Sequence, residues 1–182
     1  GGIYGAGVFG WGPVELGIFG ILLTVTGTAG ALVGGRLDDA LGAKPVILGS
    51  LAVLALVCVG VLSLGREHVL FAIPTAPPMP GDGLYGSLPE KIFLGLGLVI
   101  GAMAGPLQAS SRSLLARLAP AGETGRYFGL LTLSGKVTSF LAPLLVAVAT
   151  DLSGRQEAGP AVLILFFAAG AALLAGVRLR PA

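Results

Sequence analysis

With 182 residues, 54% of them hydrophobic and 11% charged, and a net charge of +2, the chain has too little charge to cover a soluble surface, where about a quarter of residues are charged. The mean hydropathy of +0.93 points the same way, and the basic residues are too dispersed for a nucleic-acid footprint. Soluble and nucleic-acid-binding classes are therefore excluded, and the 31 glycines suit helices that approach each other closely in a membrane.

Residues 1–12 are apolar and glycine-rich but too short to cross a bilayer, and Tyr4 and Trp11 are expected at headgroup level. Gly1-Gly2-Ile3 lacks the basic start of a signal peptide. Pro13 suits a first helical turn and opens a predicted crossing over 13–35, in which Thr24, Thr26 and Thr28 can return their hydroxyls to backbone carbonyls. The decamer 35–44 then packs Arg36, Asp38, Asp39 and Lys44 between two apolar runs, so it reads as a tight turn at a membrane face. The next crossing is predicted over 45–64, about 30 Å at 1.5 Å per residue. Its Cys58 reads as a small packing residue.

Residues 65–90 form a long extracytoplasmic loop in which Pro74, Pro77, Pro78 and Pro80 forbid a continuous helix. Ser87 and Glu90 have capping-box spacing and open a crossing over 88–111. Within it Gly97, Gly101 and Gly105 recur every fourth residue, a groove for another helix or an accident of glycine enrichment. Residues 112–126, with leucines alternating with Arg112 and Arg117, are expected to lie along the headgroups until Pro120 breaks them. The last two crossings are predicted over 127–149 and 160–177. Arg36, Lys44, Arg112, Arg117, Arg126, Arg178 and Arg180 share one side, against Arg66, Lys91 and Arg155 on the other. That excess places the decamer and the C-terminus in the cytoplasm and leaves the N-terminus outside. The fold class is an all-α membrane protein in a single domain, 1–182, with five crossings.

The pattern Gly35, Leu37, Asp39, Gly42, Lys44 resembles the loop signature of major facilitator superfamily transporters. Gln108-Ala109-Ser110-Ser111-Arg112-Ser113-Leu114, Phe128-Gly129-Leu130, Leu133-Ser134-Gly135-Lys136, Thr138-Ser139-Phe140 and Pro143 resemble the C-terminal half of the "unknown major facilitator" family. That family is similar to the vacuolar amino-acid effluxers linked to autophagy in fungi. The resemblance implies helices eight to twelve of a twelve-helix fold, a chain truncated relative to its family, and alternating access between two halves. It further implies an inner cell-membrane location, a small solute such as an amino acid, and a missing N-terminal half or a second copy as partner. The decamer would act as a gate latch, with Asp39 facing the positive end of a helix in the opposite half and Lys44 or Arg36 balancing charge.

Read from the residues, Lys136 is the sharpest signal, about ten residues into its crossing, where a cation is costly and normally faces protein or water. Thr132, Lys136, Ser139 and Pro143 fall on one helical face. That face reads as the wall of a polar path in which Lys136 attracts a carboxylate or phosphate, or pairs with an acid of a neighbouring helix. Against it stands a lysine that snorkels. Gln108 and Arg112, one turn apart, line the cytoplasmic mouth, or Arg112 is a headgroup anchor. Asp38 and Asp39 lack further ligands for a metal, and His68 reads as a solvated loop residue. No catalytic pair or phosphate loop points to an enzyme or a cofactor. The rival to a transporter is a non-transporting membrane remnant or assembly subunit that packs through small-residue faces.

Overall fold

A computed structural model describes residues 2–71, 73–75, 83–154 and 158–177. A short helical turn, α1 (Gly2–Tyr4), runs into a π turn over Gly5–Phe9. Five long helices follow: α2 (Pro13–Leu41), α3 (Ala43–Leu62), α4 (Leu88–Leu118), α5 (Thr124–Ser153) and α6 (Ala158–Gly176). All five are long and apolar enough to cross a membrane. Between α3 and α4 the strands β1 (His68–Val69) and β2 (Ile73–Pro74) form a small antiparallel ribbon. Arg155, Arg178, Arg180, Pro77, Pro78 and Pro80 lie outside the described residues.

Several helix ends differ from the sequence expectation. The charged decamer is not an open turn: α2 continues to Leu41, and Gly42 alone separates it from α3. Nothing in 36–41 breaks a helix, and the Gly42 N–H closes on the Asp38 carbonyl. Gly42 then takes φ +87°, a conformation open to glycine and costly for other residues. Residues 112–118 likewise do not lie along headgroups. They extend α4, because Leu114 is buried against Ala43, Ile47 and Leu51. The helix stops where Ala119, extended before Pro120, can no longer follow it. α5 starts three residues earlier than expected and ends four later, and α6 begins at Ala158.

α2 and α4 run parallel. Position by position, Phe19 meets Gly97, Leu23 and Thr26 meet Gly101, Gly27 and Ala31 meet Gly105, Gly30 meets Ala102, and Gly34 meets Pro106. A Cβ at Gly30 would run into the Ala102 carbonyl. Pro106 supplies no N–H to that carbonyl one turn back, and only a glycine opposite it leaves room. α3 packs antiparallel against α4, α6 lies on α3, and α5 is outermost, held chiefly by α6.

The bundle has two unlike ends. At one, Tyr4, Phe9, Trp11, Phe19, Tyr85 and Phe93 interlock with ring centroids 4.9–6.1 Å apart. Tyr4 and Trp11 are 7% and 6% exposed, so they are core residues and not headgroup anchors. The Trp11 indole N–H donates to Glu90 Oε1 at 2.8 Å, and the other Glu90 oxygen accepts from the Ser87 N–H and hydroxyl, which closes the capping box of α4. The Tyr4 hydroxyl donates to the Leu64 carbonyl at 2.6 Å, and that of Tyr85 donates to the Glu15 carbonyl. Burial, reinforced by the Glu15 carboxylate, pushes the Tyr85 phenol above its ordinary value. The ribbon leaves α3 at this end. The other end carries Asp38, Gly42, Lys44 and Arg117.

Candidate functional site

At the basic end the buried acid is Asp38, while Asp39 is exposed. Arg117 Nη2 on α4 lies 3.8 Å from Asp38 Oδ1, a loose pair tying the ends of α2 and α4. Lys44 does not balance charge within the decamer. Its ammonium crosses to the end of α6 and donates to the Ala175 and Val177 carbonyls at 3.0 and 2.7 Å. Those carbonyls lie in the last turn of α6 and just past it, at the negative end of the helix where a cation is favoured. Gly35 borders open space and Leu37 is 42% exposed.

The second candidate is α5, which has no buried side chain. Lys136 lies near the middle of this 30-residue helix, and Thr132, Lys136 and Ser139 are all exposed. The Thr132 hydroxyl donates to the Phe128 carbonyl and that of Ser139 to the Lys136 carbonyl, so both are satisfied within the helix. Among the described residues the Lys136 ammonium has no hydrogen-bond or ion-pair partner. Gln108 and Arg112 on α4 are also exposed, and no hydrogen bond joins Gln108 to the α5 face.

Sequence reasoning missed three features. It saw the glycine stripe of α4 but not the answering Gly27, Gly30 and Gly34 of α2, although small residues at three- and four-residue spacing were there to read. It read Glu90 as a local cap, without the indole of Trp11, 79 positions away. It singled out Asp39 by motif position, whereas packing buries Asp38. Neighbours in sequence point to different sides of a helix, so only the placement of α4 chooses between them.

Five apolar helices, a seam of small residues and a charged one-residue joint define a multi-pass helical membrane protein. The chain matches the family described as "Vacuole effluxer Atg22 like" over residues 2–182 and belongs to that family. It is 35% identical over 82 residues to an uncharacterized MFS-type transporter, YxiO, of Bacillus subtilis, a match covering 45% of this chain and 19% of that protein. It is 26% identical over 151 residues to autophagy-related protein 22-2 of Emericella nidulans, covering 80% of this chain and 23% of that one. Autophagy-related protein 22 of Botryotinia fuckeliana is 28% identical over 153 residues, 84% and 21% of the two chains. The matched stretches thus span roughly a fifth of each of these relatives. No solved structure matches the chain.

Proposed function

We propose that this chain is the C-terminal portion of a secondary transporter that moves a small organic solute by alternating access, with α5 supplying part of the solute path. The observation that carries this reading is Lys136: an ammonium without a partner among the described residues, near the middle of a helix long enough to cross the bilayer, none of whose side chains is buried in this bundle. A cation held in hydrocarbon costs at least about 2.5–3.5 kcal/mol, so an ammonium at that depth is retained where it faces water, an acid or an anionic solute. Thr132 and Ser139 share its face and keep that wall polar. A carboxylate-bearing solute such as an amino acid fits the charge. Gln108 lies toward the basic end, at the mouth of the path.

The charged joint suits a gate. Asp39, exposed beside Gly42, is free to meet the positive end of a helix from the rest of the transporter, and Gly35 and Leu37 leave that surface open. The basic end is cytoplasmic in this reading, by the excess of basic residues there. The experiment is Lys136→Met in the transporter that contains this chain, assayed for uptake and efflux of radiolabelled amino acids in vesicles. Transport is abolished while insertion and abundance stay unchanged. Undiminished transport removes Lys136 from the path. Reconstituted by itself, the 182-residue chain transports nothing; if it assembles stably with other membrane subunits and the Lys136 variant is silent, the assembly-subunit reading takes over.

A further inference from the structure

The turn of the β1–β2 ribbon carries large apolar side chains where neither its backbone nor water favours them. Leu70 and Phe71 take φ +53° and +66°, a region that suits glycine or asparagine and is costly for bulky residues. They are 63% and 66% exposed, and Ile73 beyond them is exposed as well. Unfavourable backbone and unfavourable exposure at one tip mark a surface kept for contact.

The path of the chain fixes where that tip lies. α3 has 20 residues, a length of about 30 Å, so its ends stand at the two faces of one hydrocarbon core. Past Leu62 the chain reverses at Arg66 and Glu67, closed by the Gly65 N–H on the His68 carbonyl at 2.9 Å. β1 then runs back toward α3. The Phe71 N–H donates to the Ser63 carbonyl at 3.0 Å, one residue beyond the helix. The turn is thereby held at the membrane face. It also continues an exposed apolar stripe. Leu56, Val59 and Ser63, spaced three and four, share one face of α3. The first two are exposed, and the turn is bonded to the third.

The rest of the ribbon suits that position. Val69, just before the turn, is buried in the aromatic cluster and pins the ribbon to the bundle. Val69 pairs with Ile73 across the ribbon, and the Thr75 N–H donates to the Glu67 carbonyl at 2.8 Å. Much of the main chain is thus satisfied internally, as contact with lipid requires. Arg66 and Glu67 are exposed at the opposite end of the ribbon, where headgroups and water solvate them.

We propose that Leu70 and Phe71 wedge into the bilayer surface at the aromatic end of the bundle and fix the height of α3 in the membrane. The occupant of this apolar tip is lipid, at the boundary between headgroups and acyl chains. The tip stands where α3 leaves the hydrocarbon, and apolar side chains at that level are buried by the bilayer itself. The proposal rests on α3 crossing the membrane and is independent of solute transport.

The test is spin labelling of the whole 182-residue chain in phosphatidylcholine vesicles, with Cys58→Ala removing its one cysteine. One label is placed at Phe71→Cys and a control label at Glu67→Cys, at the far end of the ribbon. Collisions with oxygen, which concentrates in lipid, are compared with collisions with a water-soluble nickel chelate. The ratio of oxygen to nickel collisions is several-fold higher at 71 than at 67. Equal ratios at the two positions overturn the proposal and leave the tip in water. A label at 71 that neither reagent reaches also overturns it, because protein then covers the turn. Should Phe71→Cys fail to fold, Leu70→Cys is read against the same control, and the same outcomes decide.

Discussion

The α2–α4 seam and helix α5 are opposite solutions to life in a membrane. In the seam, glycines on both helices let backbones touch, and an added Cβ meets main chain on the facing helix at Gly30, Gly101 and Gly105. On α5, Gly125, Gly129 and Gly135 border open space and no side chain is buried. Lipid gives no hydrophobic drive for one helix to leave it for another, so helices associate where shape is complementary. The seam therefore holds this unit together, whereas α5 leaves its side chains uncovered in it.

The sharpest way to break this comparison is a bulky residue on each side of it. Gly30→Leu, pushed into the Ala102 carbonyl, is expected to lower stability by about 3 kcal/mol in detergent unfolding. Gly135→Leu on α5 stays within about 0.5 kcal/mol of the parent. Similar costs for the two would end the distinction between seam and free helix.

A smaller effect probes the aromatic end, which anchors the seam where α2 and α4 begin. Glu90→Leu strands the Trp11 indole N–H and opens the Ser87 cap, for a loss of about 2 kcal/mol. Trp11 is the only tryptophan in the chain, so its emission reports the change directly: it moves to the red and becomes accessible to acrylamide. An unshifted spectrum would show that the carboxylate does not hold the ring.

The smallest effect separates Lys44 from Lys136. Lys44→Met frees the last carbonyls of α6 and costs about 1 kcal/mol, with faster hydrogen exchange confined to the end of that helix. Lys136→Met, with no partner among the described residues to lose, leaves the unfolding of this chain unchanged. A stability loss at Lys136 equal to that at Lys44 would assign it a structural partner.

Five helices and their order were legible because a membrane helix satisfies its own backbone, so length and hydropathy suffice to reveal it. Pro13, Pro45 and the Ser87–Glu90 box marked helix starts, since capping is local chemistry. The ends were harder to place. α2 and α4 run six and seven residues past the predicted crossings because charged residues at 36–41 and 112–118 form helix as readily as apolar ones once packing holds them. Tyr4 and Trp11 read as interfacial in isolation, and only their distant neighbours make them core.

What the amino-acid order determined by itself was the membrane class, the number of crossings and the face that joins Thr132, Lys136 and Ser139, all set by periodicity and hydration within single segments. The tertiary structure alone decided that Asp38 rather than Asp39 is buried, that Lys44 serves α6, that Glu90 holds Trp11 and that α5 stays uncovered. Each of these depends on which helix lies beside which, and a pairing between residues 79 or 131 positions apart leaves no trace in the local pattern of either partner.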